Sequence, residues 1–301
     1  MKRLFSILLV VFVCVLKANA QGDGPRGYWP QPIGTNLVTP LYTYVGTNQV
    51  FDNSLIVNDA EFNTNIYGLM YSSVFPLMNR TAGVVALLNY GDTSGGLPGF
   101  AEGSASGFGD LYVIGVVNLY GAPSVTKEEY VKTSYNYSAN LLVAFKAPTG
   151  KYDADRALNL GTNRWEFKIG APLMKFFNWG TPKVTSLELL PTLSFFTENS
   201  EPGGNGNALT QKPLFGLEAH VTQQLNRMIW LSLDSMYRAG GETSLDGLAN
   251  DNALNSFQLG GTFGAYFSSA LGIKLTYGSV IGDSSNGLTG NMFRAMVTYI
   301  F

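Results

Sequence analysis

The pattern that most restricts this chain is an alternation of apolar and polar residues in segments of roughly ten, the strand signature of a transmembrane barrel, recurring to the last residue. At the end of the chain Phe293, Ala295, Val297, Tyr299 and Phe301 share one side of an extended strand, with Arg294, Met296 and Thr298 on the other. Successive strand side chains point to opposite faces, so one face is apolar and the other mixed. Trp165, Phe167, Ile169 and Ala171 repeat the pattern against Arg164, Glu166 and Lys168, as do Phe215, Leu217, Ala219 and Val221 against Glu218, His220 and Thr222. Ile229, Leu231, Leu233 and Tyr237 oppose Ser232, Asp234 and Arg238, and Leu271, Ile273, Leu275 and Tyr277 oppose Lys274 and Thr276. Charge keeps to one face.

In a soluble sandwich the apolar face would need a second sheet. In a membrane barrel it meets lipid, and the charged face lines the lumen. Connection lengths separate the two cases. Strands are expected near 35–47, 61–75, 81–91, 107–120, 134–146, 162–175, 183–197, 211–223, 228–239, 253–267, 270–280 and 289–301. The links at 76–80, 176–182, 224–227 and 268–269 are short, with 121–133 a longer exception on that side. Their alternating partners at 48–60, 92–106, 147–161, 198–210, 240–252 and 281–288 are longer and polar. Short periplasmic turns alternating with long outer loops are the habit of outer-membrane barrels. The expected fold is therefore all-β, a transmembrane antiparallel up-and-down β-barrel of about twelve strands with both termini at the periplasmic end.

Composition agrees. Charged residues make up 13% of the chain, where soluble proteins carry about a quarter. No stretch of the mature chain approaches the roughly 18 apolar residues of a membrane-spanning helix. Aromatics gather near strand ends: Tyr42, Tyr44, Tyr112, Tyr120, Tyr135, Tyr137, Phe176, Phe177, Trp179, Tyr299 and Phe301. Interfacial girdles would place them there, and strand propensity alone also enriches them.

Lys2 and Arg3, an apolar run from Leu4 to Leu16 and the small-residue site Ala18-Asn19-Ala20 read as an export signal. The expected organisation is a signal peptide at 1–20, an N-terminal periplasmic segment at 21–34 and an outer-membrane barrel at 35–301, in a Gram-negative envelope. Cys14 is the only cysteine and falls in the signal, so the mature chain has no thiol for a disulfide or metal. Bulky Val11, Phe12 and Val13 argue against a lipid anchor there. Removing the signal takes three of nineteen basic residues and none of the twenty-one acids, leaving a net charge of −5. Nucleic acid is not an expected partner of so acidic a chain.

His220 is the only histidine. A hydrolase needs a nucleophile, a base and an orienting group within reach of one another. The outer-membrane phospholipases, also twelve-stranded barrels, set a serine two residues after the histidine. Here His220-Val221-Thr222 supplies a threonine, and the histidine lies on the charged face. No metal spacing, phosphate loop or dinucleotide fingerprint has the context it requires. Gly203-Gly204-Asn205-Gly206-Asn207 reads as a loop, and Asp246, Asn250, Asp251 and Asn252 as a weak calcium site or, as is usual for such composition, simply solvated surface. No enzyme and no cofactor are expected.

The lumen-lining candidates are Asp110, Lys146, Arg164, Glu166, Lys168 and Glu188 in the first half of the barrel, and Glu218, His220, Asp234, Arg238, Lys274 and Arg294 in the second. Twelve strands enclose more than side chains alone fill and less than an open porin, so acids and bases pairing across the lumen would leave a narrow path.

Two stretches carry a family resemblance: Gly107-Phe108-Gly109-Asp110-Leu111, and Ala147-Pro148-Thr149-Gly150-Lys151-Tyr152-Asp153 followed by Asn159-Leu160-Gly161-Thr162-Asn163-Arg164-Trp165. Together they resemble the outer-membrane family named for the MetA pathway of phenol degradation, whose members are often labelled transporters. Pro148 and Gly150 would end a strand and open an ordered outer loop, tied by Lys151, Asp153, Asp155 and Arg156. The terminal Phe301 resembles the signal read by the barrel-assembly machinery. The partners implied are outer-membrane lipid, that machinery and an unidentified small solute. The expected function is a channel or transporter for small solutes, hydrophobic or aromatic ones among them, through a narrow charged lumen. The alternatives are a non-transporting structural or adhesion barrel and an outer-membrane lipid hydrolase.

Overall fold

The computed structural model describes residues 22–49, 56, 59–96, 103–156, 158–202, 206–281 and 287–301. The expected signal peptide with Cys14, and Gly203, Gly204 and Asn205, lie outside the described residues.

The strands are β1 (Asn36–Thr47), β2 (Glu61–Leu77), β3 (Arg80–Gly96), β4 (Gly103–Phe108), β5 (Leu111–Tyr120) and β6 (Tyr137–Ala147). They continue as β7 (Glu166–Gly170), β8 (Leu173–Phe177), β9 (Thr185–Phe196), β10 (Leu209–Gln211), β11 (Leu214–Gln224) and β12 (Ile229–Gly240). The last are β13 (Thr243–Leu245), β14 (Leu248–Ala249), β15 (Leu254–Tyr266), β16 (Leu271–Ile281) and β17 (Gly290–Ile300). Strands β10, β13 and β14 form a small sheet of their own, and the other fourteen form one large sheet. Each stave of that sheet pairs antiparallel with the next in the chain, and β17 pairs back onto β1 with Leu37 opposite Ile300. The sheet is therefore closed. Because β4 with β5 and β7 with β8 each make one stave, the barrel has twelve, and closure leaves no edge to pair with another chain.

The two interruptions have separate causes. On β3, Tyr90 faces Phe108 of β4 whereas Leu87 faces Tyr112 of β5, so one extra residue sits at Gly109-Asp110. This β-bulge reverses the inward and outward alternation along the stave. Phe108 consequently points out, 65% exposed, and Asp110 is buried. Between β7 and β8, Pro172 has no N–H to give to the ladder, and its carbonyl still accepts from Asn140 N at 2.9 Å. The register on both sides of Pro172 is unchanged.

The outer surface carries the apolar side chains of the alternation, with Leu69, Leu88, Val143, Leu189, Leu233 and Val297 all exposed along the staves. Transferring one such side chain out of water is worth about 1.5–3 kcal/mol, and soluble monomers do not leave a continuous belt of them wet. Tyr90, Phe108, Trp165 and Phe257 rim the belt on the loop side, and Tyr120, Tyr137, Phe177 and Tyr299 on the short-turn side. These are the two girdles of a membrane barrel. The interior inverts a soluble core: Thr39, Thr43, Thr222, Thr262, Asn118 and Gln258 are almost fully buried.

Residues 21–34, expected in the periplasm, are placed differently over the described part, 22–34. This segment is folded up inside the barrel, where Gly22 O accepts from Arg294 and Pro25 O from Lys274, both on mid-barrel staves. It leaves the bore at the short-turn end to begin β1. The physical reason is local: the wall carboxylates of Glu188 and Glu218 accept hydrogen bonds from the segment's backbone N–H groups and the Trp29 indole.

Candidate lumen site

Two wall glutamates hold the N-terminal segment. Glu188 on β9 accepts from Arg26 N (2.9 Å), Trp29 Nε1 (2.7 Å) and Ser186 Oγ (2.5 Å). Glu218 on β11 accepts from Asp23 N (3.2 Å) and Gly24 N (3.3 Å). Charged acceptors make such bonds stronger than neutral ones, each worth about 1.5–3 kcal/mol. Arg26 is the central anchor. Its guanidinium lies 4.2 Å from the ring centroids of both Trp29 and Trp230, and it donates to Thr222 Oγ1 at 3.3 Å and Gln224 Oε1 at 2.7 Å. Trp230 can lie flat against the wall only because its neighbour across the ladder is Gly264; a Cβ there would fall 2.0 Å from the indole. Lower down, Trp29 enters an aromatic cluster with Phe176 and Trp179 at centroid distances of 5.3 and 5.5 Å. Tyr130, on the single-turn helix α1 (Lys127–Tyr130), bonds Pro30 O at 3.1 Å.

Behind the segment, His220 is flanked by two acids, with Nδ1 2.8 Å from Asp234 Oδ1 and Nε2 3.5 Å from Glu218 Oε2. Ser232 donates to Asp234 and not to the histidine, and Thr262 Oγ1 also donates to Asp234 at 2.6 Å. Both ring nitrogens thus face carboxylates, and neither is turned toward a hydroxyl as the hydrolase alternative requires. Thr222 is engaged with Ser186 at 2.7 Å.

The opposite wall is of another character. Inward positions of β1, β2, β3 and β5 carry Leu41, Ile66, Met70, Val85, Leu87 and Ile114 with uncharged polar residues such as Thr39, Thr43, Asn89 and Asn118 among them, and the charged lumen of the sequence reading is charged on one side only. Between this apolar wall and the N-terminal segment lies a cavity of about 920 Å³. It reaches the short-turn end, where Arg227 and Ser268 border it, and extends inward to Asn89, Lys168 and Arg294.

At the loop end the segment after β6 folds back onto the wall. Asp110, aimed inward by the bulge, accepts from Gly150 N (2.9 Å), Thr162 N (2.9 Å) and Thr162 Oγ1 (2.7 Å). Gly150 and Gly161 pass back to back, and a Cβ on Gly150 would lie 2.8 Å from Gly161 Cα. Leu158 is thereby buried against Ala60 and Phe62. The expected charge tie is made by Arg156 and Asp153 at 3.1 Å, whereas Lys151 Nζ donates to Ser106 O at 2.9 Å.

The remaining candidates are distributed around this frame. Lys146 pairs with Glu166 at 3.1 Å, and Lys168 stands 4.0 Å from the same carboxylate. Arg164 sits 5.1 Å above the Phe196 ring and donates to Gln211 Oε1 at 2.7 Å. Arg238 buries its Nε without a hydrogen-bond partner among the described residues. Lys274 and Arg294 reach the N-terminal segment and border the cavity. Phe301 is exposed on the outer surface beside Tyr299 and exchanges backbone hydrogen bonds of 2.9 and 3.1 Å with Asn36.

The fold and its girdles define an outer-membrane β-barrel. The chain belongs to the family described as "Putative MetA-pathway of phenol degradation", whose model matches residues 44–296. Among solved structures it is similar to an outer-membrane channel from Pseudomonas putida F1, with a TM-score of 0.78 and 22% identity over 92% of this chain and 99% of that one. The transport unit of the autotransporter AIDA-I from Escherichia coli aligns with a TM-score of 0.53 and 11% identity over 94% of each chain. No curated protein sequence matches. At these identities the structural likenesses establish the barrel fold alone.

Proposed function

We propose that the protein is an outer-membrane channel for small apolar or aromatic solutes, closed in this state by its own N-terminal segment. The observation that carries the reading is the cavity of about 920 Å³ running from the short-turn end between that segment and the apolar wall. Sites for small molecules are commonly mostly apolar, with a few placed polar groups. Beyond the chain that joins it to β1, the segment is held by directional contacts to a few residues, which suits a part that moves. Passage in this account consists of release of the segment from Glu188 and Glu218, followed by diffusion along the apolar wall.

Liposomes reconstituted with the protein test the reading. Influx of a small neutral aromatic solute such as benzyl alcohol is expected to exceed that of protein-free vesicles, while a sugar of larger polar surface gains much less. Equal rates with and without protein would favour a sealed structural barrel, the alternative that the filled charged side of the bore supports.

A further inference from the structure

The charges that border the cavity are unbalanced. Arg26, Lys168, Arg227, Lys274 and Arg294 line it, and Asp23 is its one acidic lining residue. Asp23 already accepts from Tyr28 Oη. Lys274 and Arg294, from adjacent staves, have no carboxylate within salt-bridge distance among the described residues. Their partners are Pro25 O at 3.3 Å for Lys274, and Gly22 O at 2.8 Å with Thr43 Oγ1 at 3.1 Å for Arg294. The acids packed nearest, Glu188, Glu218 and Asp234, are committed to the N-terminal backbone, to His220 and to wall hydroxyls. Both cations are half-buried at the edge of the cavity with no carboxylate of the described residues in direct contact, and a bound anion would supply that contact. Leu41 and Met70 on neighbouring inward faces supply apolar surface in the same cavity.

We infer that this cavity binds small amphipathic monoanions, an apolar or aromatic body carrying one carboxylate, with the carboxylate at Lys274 and Arg294 and the body against β1 and β2. The assignment rests on the channel reading above and narrows its solute class from apolar molecules to their acids. It also gives the N-terminal segment a further part. Arg294 and Lys274 hold Gly22 O and Pro25 O, so a carboxylate competes for the donors that keep the segment in place.

Isothermal titration of the purified full-length protein in detergent at pH 7 with benzoate, and separately with benzyl alcohol, tests this. The two probes differ in charge and little in size. Benzoate is expected to bind at least about tenfold more tightly, the scale of one charge-assisted bond. In a Lys274→Gln/Arg294→Gln double variant the preference should fall to about one. Equal affinity for the two probes in the unaltered protein would overturn the assignment, as would a preserved preference in a double variant that keeps the heat-dependent gel mobility of a folded barrel. The comparison in the unaltered protein decides the question even if the variant does not fold. Failure of the channel reading is separately visible, because vesicles would then show no influx whatever the titration gives.

Discussion

At the scale of single residues, Arg26 and Asp110 anchor the N-terminal segment and the loop after β6, and they do so by different means. Arg26 combines stacking between Trp29 and Trp230 with hydrogen bonds to Thr222 and Gln224. Each cation–π contact in a desolvated setting is worth up to about 2 kcal/mol. An Arg26→Ala variant is therefore expected to fold into the same barrel but to expose residues 22–34 to added protease, seen as N-terminal trimming that the unaltered protein resists. Retained resistance would show that the backbone bonds to Glu188 and Glu218 suffice. Asp110 instead gathers three donors from one loop. Asp110→Ala leaves those donors without their acceptor at about 1–3 kcal/mol each where they stay buried. Trypsin cleavage after Lys151 or Arg156 should then become several-fold faster, and an unchanged rate would mean that the packing of Leu158 alone holds the loop.

At the scale of elements, the staves were legible because alternation is a local property. The ladders from Leu254–Tyr266 to Gly290–Ile300 lie within a residue or two of the spans read from sequence. Residues 92–106 misled because Asp92, Thr93 and Ser94 look like loop; they continue β3 through ladder pairing with β2, and Thr64 donates its hydroxyl to Thr93 at 2.8 Å. The bulge at Gly109-Asp110 had a signal in its glycine, but no pattern within one strand reveals which partner residue it skips. The N-terminal segment was not legible as an internal element, since it has no periodicity and its acceptors lie some 160 to 195 residues away in the chain. Two signals were available: the aromatic pair Tyr28-Trp29 ahead of the first strand, and the excess of predicted inward acids on the β9 to β12 side. The apolar wall was hidden because Leu41, Ile66 and Met70 sit on staves with apolar residues on both faces, where alternation says little. Of the site, the wall acids could be named in advance, and what they bind could not.

At the scale of the whole molecule, the barrel is held by a closed ladder and by lipid on its outside, with a polar interior that needs its fillings. A charge placed in the middle of the outer belt should be costly, so Leu233→Arg is expected to lower the stability of the barrel in vesicles by about 2–4 kcal/mol. Urea titration of tryptophan fluorescence measures this, and a loss below about 1 kcal/mol would place Leu233 near an interface rather than in the lipid core. The interior predicts the opposite tolerance: the N-terminal segment is an insert whose removal leaves every ladder intact. The most direct test of the central claim, that this segment closes the bore, is single-channel recording of the unaltered protein beside a variant that lacks residues 22–34 and keeps the export signal. Small or rare openings are expected for the first, and for the second a stable conductance several-fold larger. Equal conductance in the two, with both barrels folded, would contradict the claim.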